Sequence, residues 1–527
     1  MTQSISTANS AGDKSARDAR EGSAPHDSLF TSRRAMIVAA VVAIWLLARL
    51  LGWVGYAGAD DQYYARYAHL LHRVPMNHME FRMTVVLSIR VAMELFGTSE
   101  AAVCMAPLLY SGLLFAAVAW FVGWPRNISW PATGSMLLVS LIPIDVGFAS
   151  YPSPAALSAG LTAMGMVCIL KGRRAVGVLG AALLALAFMT HLLNFFFVGL
   201  FCLTILALDG RRYWLPVAAC VLFSGGLLVA EMTTYWHLTG NPQLHFDALS
   251  EISGGIPDDG RSKTKLGFFL MPLQILILSK QFGFGLLLLL ICGVLSYRKL
   301  TTEERIVWIA TIGFWFWLGY GTVTPFGYRP ATRGMHYYTP LVFGLCALLP
   351  LTLKQVFERR QAIGYALLGA LLLLYTSALG VGGAWGSQVD CSGQLLKYAQ
   401  LHPQQRFLTD VYTLNEMYCL NGFKMPENVV VRDSHAQRTH LLINKEPTGH
   451  VPESFPQAEN VDALLVNLSR TESPPEAEFV SFLDRHGGAV IYRVPPSMRL
   501  GFRPLAYWLS DREFAQRDRG AEVRKLK

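Results

Sequence analysis

Apolar blocks broken by short polar and basic stretches run through the first three quarters of the chain. They are Ala35–Trp53, Ala101–Trp124, Trp130–Ala149, Pro154–Leu170, Ala175–Met189, Leu192–Leu208, Trp214–Ala230, Phe284–Leu295, Ile306–Gly319, Thr339–Leu353 and Ile363–Gly383. A helix needs about 20 apolar residues to cross a bilayer, and several blocks sit at the short end of that range. The pattern predicts about eleven transmembrane helices between residues 35 and 384. Residues 1–34 are polar and rich in Ser and Ala, and read as a disordered cytoplasmic tail. Ala57-Gly58-Ala59 looks like a leader-cleavage site, but cleavage there would detach the first span from Asp60, so that span is expected to be retained.

The first long polar segment, residues 55–100, opens with two adjacent acids, Asp60 and Asp61. Behind them come Tyr63, Tyr64, Arg66, Tyr67, His69, His72 and Arg73, and then a second helical pattern. There Phe81, Val85, Ile89 and Met93 recur at helix spacing, with Arg82, Arg90 and Glu94 off the apolar face. Both helices are too charged to cross a bilayer, yet apolar enough on one side to lie against it.

Past Trp385 the periodicity changes. Short β-rich runs (Arg406–Leu408, Val429–Arg432, Ala463–Asn467, Ala489–Val494) alternate with helical stretches (Gln394–Leu401, Glu476–His486), which predicts a small α/β domain over 385–510. A charged tail, 511–527, follows. The fold expected is thus a polytopic α-helical membrane protein with a small C-terminal α/β domain.

Composition agrees. The chain of 527 residues is 52% hydrophobic and only 15% charged, unlike a soluble protein. Its formal charge of +9 lies mainly in short loops, which argues for membrane orientation and against nucleic acid. With the N-terminus inside, the loops carrying Arg126, Lys171–Arg174, Arg211–Arg212, Arg298–Arg305 and Lys354–Arg360 all fall on the cytoplasmic side, as the positive-inside rule requires. The same alternation places residues 55–100, 145–153, 236–282, 321–338 and the C-terminal domain on the outer face. These outer segments nevertheless hold Arg66, Arg73, Arg82, Arg90, Arg261, Lys263, Lys265, Lys280, Arg329 and Arg333. Anionic lipid headgroups or a phosphorylated substrate would account for them; the closely spaced Arg329 and Arg333 favour the substrate. Six of the eight cysteines lie in apolar blocks. Cys391 and Cys419 alone lie in the outer domain, which predicts a disulfide between them.

Asp60 and Asp61 would suit the N-terminus of the helix behind them as simple caps. Directly after a span, they would equally serve as a base toward an acceptor hydroxyl or amine, or hold a divalent cation (Mg or Mn) against a phosphate. His69 and His72, three apart, share a helix face, a spacing that permits joint metal binding but is common by chance; His78 lies beyond. Tyr63, His69, His72, His191 and His336 are candidate cavity-lining residues.

GADDQYYARYA, followed by EFRMTVVLSIRVAMELFG, resembles the first outer loop of the GT-C superfamily of integral-membrane glycosyltransferases, in the protein O-mannosyltransferase and aminoarabinose transferase branch. TRGMHYYTPLVFGLCALLP is similar to a late motif of that branch. The resemblance covers the layout of most of the chain, but only about three short stretches in residues. It implies a polyprenyl-phosphate sugar donor and an acceptor at the outer face. It also implies that Asp60 is the base or metal-associated acid, with Asp61 second in the pair. Where the family often carries an acid in the second outer loop this chain reads YPSPAAL, with Ser153; Asp145 upstream is the candidate substitute metal ligand.

Transfer from a lipid phosphate requires a base near the acceptor and cations for the departing phosphate. Asp60 is expected to supply the first, and Arg329 and Arg333, with Arg82 in reserve, the second. The acceptor would be an envelope glycolipid, glycan or protein, and the location a bacterial inner membrane. A transporter or lipid flippase is the rival reading and would show ionisable groups inside broken spans. The spans are expected to hold almost none, with Glu231 at an end. A lipid-linked polysaccharide ligase or polymerase is the third reading.

Overall fold

The computed structural model describes residues 24–56, 60–71, 81–191, 193–243, 265–279, 281–321, 335–379, 387–409, 411–431, 463–467, 477–483 and 521–526. The apolar blocks form helices: α1 (Ala24–Leu51), α4 (Glu100–Val122), α5 (Trp130–Leu141), α6 (Pro143–Phe148), α7 (Pro154–Lys171), α8 (Arg174–Thr190) and α9 (Asn194–Thr239). The series continues with α10 (Lys265–Ile277), α11 (Gly285–Ser296), α12 (Thr302–Tyr320), α13 (Leu341–Val356) and α14 (Gln361–Ala378). The acid-pair segment contributes α2 (Asp60–His69) and α3 (Met83–Phe96).

Among the described residues, five helical stretches are long and apolar enough to cross a membrane: Ser32–Leu51, Glu100–Val122, Pro154–Lys171, Asn194–Thr239 and Gln361–Ala378. Three differences from the sequence reading stand out. Helix α1 reaches back to Ala24, inside the stretch expected to be disordered. Two predicted spans merge into α9, whose only break is Asp209, with non-helical φ −156° and ψ 50°. And α10 forms inside the expected outer loop: at 13 residues it is too short to span, but Pro272 sits against α12, where its carbonyl accepts from Trp315 Nε1 at 3.3 Å. Gly319 lets that contact close, since a Cβ there would lie 2.7 Å from the Pro272 ring.

The loops expected to share a side do come together. At one end Glu303 pairs with Lys171 (3.3 Å) and Arg212 (3.1 Å), and Lys299 pairs with Glu358 (3.1 Å). There Thr301 and Glu304 form a capping box that starts α12 at the basic loop. At the opposite end the predicted outer segments meet. Val54 N–H donates to Ser150 Oγ (2.7 Å), and Tyr56 N–H donates to Glu100 Oε1 (2.8 Å).

Helix α3 buries Val85, Val86, Ile89, Ala92 and Met93, and exposes Leu87, Val91 and Leu95 on its other side. This fits a helix lying along the bilayer boundary. Helix α2 is different: Asp61, Gln62, Tyr64, Ala65, Arg66, Tyr67 and Ala68 are all buried, so it is covered and does not lie open on a membrane surface.

It is covered by α3 and by the C-terminal region, which contains α15 (Ser387–Leu401), β1 (Phe407–Thr409), α16 (Val411–Leu420), β2 (Val429–Val431), β3 (Ala463–Asn467), β4 (Ala477–Leu483) and β5 (Ala521–Leu526). The strands form one mixed sheet in the order β2-β1-β3-β5-β4, with β1 parallel to β2 and β3, and β5 antiparallel to β3 and β4. Strand β4 stands where a helix, Glu476–His486, is expected. Its run AEFVSFL is rich in aromatic and β-branched residues, and pairing with β5 decides the conformation. The predicted strand Ala489–Val494 lies outside the described residues.

Candidate functional site

The backbone leading to the acid pair is pinned before α2 begins. Gly55 adopts the left-handed conformation (φ +70°), and a Cβ there would fall 2.0 Å from Glu100 Oε1, the oxygen that receives the Tyr56 N–H. Only glycine permits that crossing. Asp60 is the first residue of α2, where the helix dipole favours a carboxylate; its side chain lies outside the described residues. Asp61 is fully buried beside Tyr56 and Cys419.

Arg82, at the start of α3, donates to the Tyr64 hydroxyl of α2, with its guanidinium 5.8 Å from that ring. It also acts electrostatically on His336, in the 3-10 turn Met335–Tyr338. His336 contacts Tyr337 (3.8 Å between ring centres) and approaches His191 (6.3 Å), and His191 contacts Tyr337 (4.5 Å). His191, His336 and Tyr337, with Ser158 and Asn194, line a small cavity at this end of α7, α8 and α9. Two cavity-lining expectations, His191 and His336, are thus brought together beside Arg82.

Burial, and secondarily the Arg82 charge, push His336 down to about 3 from 6.5. It is therefore neutral, and the sign of its pH dependence follows. The unfolded chain takes up a proton below 6.5 while the folded one does not until about 3, so stability falls as pH drops through this interval. Wild-type protein in detergent is expected to melt at lower temperature at acidic pH than at neutral pH. His336→Gln should lose part of that dependence, and an unchanged pH profile would refute the assignment.

Other expected residues fall elsewhere. His69 is not in the cavity: its ring stacks on Phe423 (4.7 Å, 11° between planes), and its carbonyl accepts from Arg90 (3.2 Å). Tyr63 lies under the Arg66 guanidinium (5.6 Å). Asp145 is 2% exposed and pairs with Arg49 of α1, and Ser111 Oγ donates to the same carboxylate oxygen at 2.8 Å. Arg49 also donates to the Val139 and Ser140 carbonyls. A divalent cation does not fit there, because it would sit against a buried guanidinium. The expectation of Asp145 as a metal ligand is corrected on that ground. Among the described residues no group of three or more His, Cys, Asp or Glu side chains is placed to hold a metal. Arg329, Arg333, His72 and His78 lie outside the described residues.

The expected Cys391–Cys419 bridge is also corrected. Cys419 is a free thiol, 0% exposed, on the face of α16 that packs into the cluster of Tyr56, Tyr64, Tyr67 and Val85. The apolar contact with α2 and α3 claims it, and burial pushes the thiol up, which keeps it protonated. The Cys391 side chain lies outside the described residues.

Sequence reasoning missed the partner of Arg82, Tyr64, and the Arg49–Asp145 pair, and with it the expectation that the spans hold almost no ionisable groups. The signal was present in WLLARLL, where an arginine interrupts an apolar run. The contacts of α16 with α2 had no sequence signal, since more than three hundred residues separate Gln62 from Asn415.

Together these features define a multi-pass helical membrane protein with a covered, acid-led helix at one end of its bundle. No protein-family model and no curated protein matches the chain. Among solved structures it is similar to ArnT from Cupriavidus metallidurans in the apo state, with 16% identity and a TM-score of 0.46 over 75% of this chain and 76% of that one. It is also similar to the Archaeoglobus fulgidus oligosaccharyltransferase in complex with zinc and sulfate (12%, TM-score 0.39, 80% and 67% covered). A third similar structure is AglB from the same organism with an inhibitory peptide and a dolichol-phosphate (11%, TM-score 0.38, 81% and 69% covered). These likenesses concern chain layout alone.

Proposed function

We propose that this protein is a membrane glycosyltransferase that moves a sugar from a polyprenyl-phosphate donor to an acceptor at the acid-pair end of the bundle. The observation that carries the reading is the convergence there of an acid-led helix, the Arg82 guanidinium and a small cavity lined by His191 and the neutral His336, on a scaffold whose exposed sides are apolar. The resemblance of GADDQYYARYA to the first loop of GT-C enzymes supports it. In this reading about eleven helices cross a bacterial inner membrane, and the acid-pair end, with the C-terminal region, faces the periplasm.

The Asp60 carboxylate accepts the proton of the acceptor O–H or N–H as that heteroatom bonds to the anomeric carbon. The bond between the anomeric carbon and the phosphate oxygen breaks, and polyprenyl phosphate leaves with one further negative charge. Arg82 compensates that charge, with Arg329 and Arg333 as the further cations. Tyr64, by accepting from Arg82, aims the guanidinium. His336, being neutral, contributes hydrogen bonding without repelling Arg82.

Mass spectrometry of envelope glycolipids, glycans and glycoproteins from cells with and without the protein tests the reading. The expected result is the loss of one species, replaced by its counterpart lighter by a single sugar. Identical profiles would count against it.

A further inference from the structure

The C-terminal region grips the acid helix at both ends of one face. Near its start, Gln62 Oε1 accepts from Asn415 Nδ2 of α16 at 2.8 Å. At its last residue, His69 stacks on Phe423, in the turn that ends α16. Between them Arg66, 7% exposed, acts on the Cys419 thiol of α16, as do Asp61 and Glu416. Gln62, Arg66 and His69 are spaced four and three apart, so they form a single stripe along α2, about 10 Å long at 1.5 Å per residue. Contacts at both ends of a stripe fix the axis of a helix and its rotation about that axis.

The gripping turn is itself held in an uncommon shape. Gly422 and Phe423 are both left-handed (φ +65° and +63°), which is unusual for a phenylalanine. The ring is kept there by His69 on one side and Tyr418 on the other (5.6 Å). A Cβ at Gly422 would come within 3.1 Å of Thr98 Oγ1, so the turn also rests on the segment that leads into α4. A strained residue at a helix-to-helix contact points to a required position.

We propose that α16 is a positioning element of the transfer reaction: through Asn415 and Phe423 it sets the placement of the helix whose first residue is Asp60. The proposal rests on the glycosyltransfer reading above, and assigns the C-terminal region a part in turnover and none in donor capture.

The test uses the full-length protein in detergent, with three readouts. Peptide mapping follows alkylation of Cys419 by N-ethylmaleimide, which reports whether α16 is seated. Affinity for undecaprenyl phosphate reports donor-lipid binding. Release of polyprenyl phosphate from a panel of polyprenyl-phosphate monosaccharides reports turnover. The variant Asn415→Ala/Phe423→Ala is expected to expose Cys419 and to lose about ten- to a hundredfold in release, with affinity within about twofold of wild type. Phe423→Tyr alone, which keeps the ring on His69, should retain the wild-type values. If the double variant is not recovered from membranes, each single substitution carries the same test with a smaller loss. Exposed Cys419 with full release, a protected Cys419, or a loss confined to lipid affinity would each overturn the grip. Asp60→Asn separates this claim from the reading beneath it. Full release by Asp60→Asn overturns the acid assignment; full release by the α16 variants, with Asp60→Asn inactive, overturns the grip alone.

Discussion

Asp60→Asn is expected to abolish sugar transfer while the protein still inserts, purifies and melts as the wild type does. The substitution removes one charge at the first residue of α2 and leaves the shape almost unchanged. Loss of a general base costs about 100- to 10,000-fold in rate. Asp61→Asn is expected to behave in the opposite sense. Asp61 is 0% exposed, beside Cys419 and Tyr56, so its replacement should lower the melting temperature and reduce activity only in proportion. Release of polyprenyl phosphate and thermal unfolding, measured on both variants, distinguish the roles. Near wild-type turnover by Asp60→Asn would leave that acid with the role of a helix cap.

The second large effect concerns stability. Arg49→Met leaves the Asp145 carboxylate buried without its partner, and removes the donors that hold the Val139 and Ser140 carbonyls. Breaking a buried pair on one side costs about 3–5 kcal/mol. The single variant is therefore expected to accumulate poorly and to melt well below wild type. The double variant Arg49→Met/Asp145→Leu should recover much of the loss, because no buried charge then lacks a partner. Equal melting of the single and double variants would show that the pair does not clamp α1 to α6.

The division between what the chain disclosed and what it concealed follows the range of the interactions. Helix positions were legible because burial in a lipid-facing bundle imposes long apolar runs, and most helix ends fall within a few residues of the block edges. The grouping of loops was legible from Lys171, Arg212 and Lys299, which do meet at one end. Helix α10 was hidden because a mostly apolar run of 13 residues with an internal proline resembles neither a span nor a polar loop. Strand β4 was misread because its helix-compatible spacing lost to pairing with a strand some forty residues later. In the candidate site, Asp60 and Arg82 could be picked out as charged groups next to apolar spans. The covering of α2 by Asn415, Cys419 and Phe423 could not, since contacts across such separations leave no periodic trace.

The basic-loop end has a consequence for how the molecule responds to its surroundings. Lys171, Arg212 and Lys299 reach partly exposed acids, and such pairs weaken as dissolved ions shorten the reach of charge to about 10 Å at 0.1 M. The contacts that hold Val54 and Tyr56 are backbone hydrogen bonds to the buried Ser150 hydroxyl and the half-buried Glu100 carboxylate, which ions weaken less than a pair of exposed charges. A rise in ionic strength is therefore felt first at the basic-loop end of the helices and less at the end that carries the acid pair, so a saltier medium loosens the molecule on the side away from the chemistry.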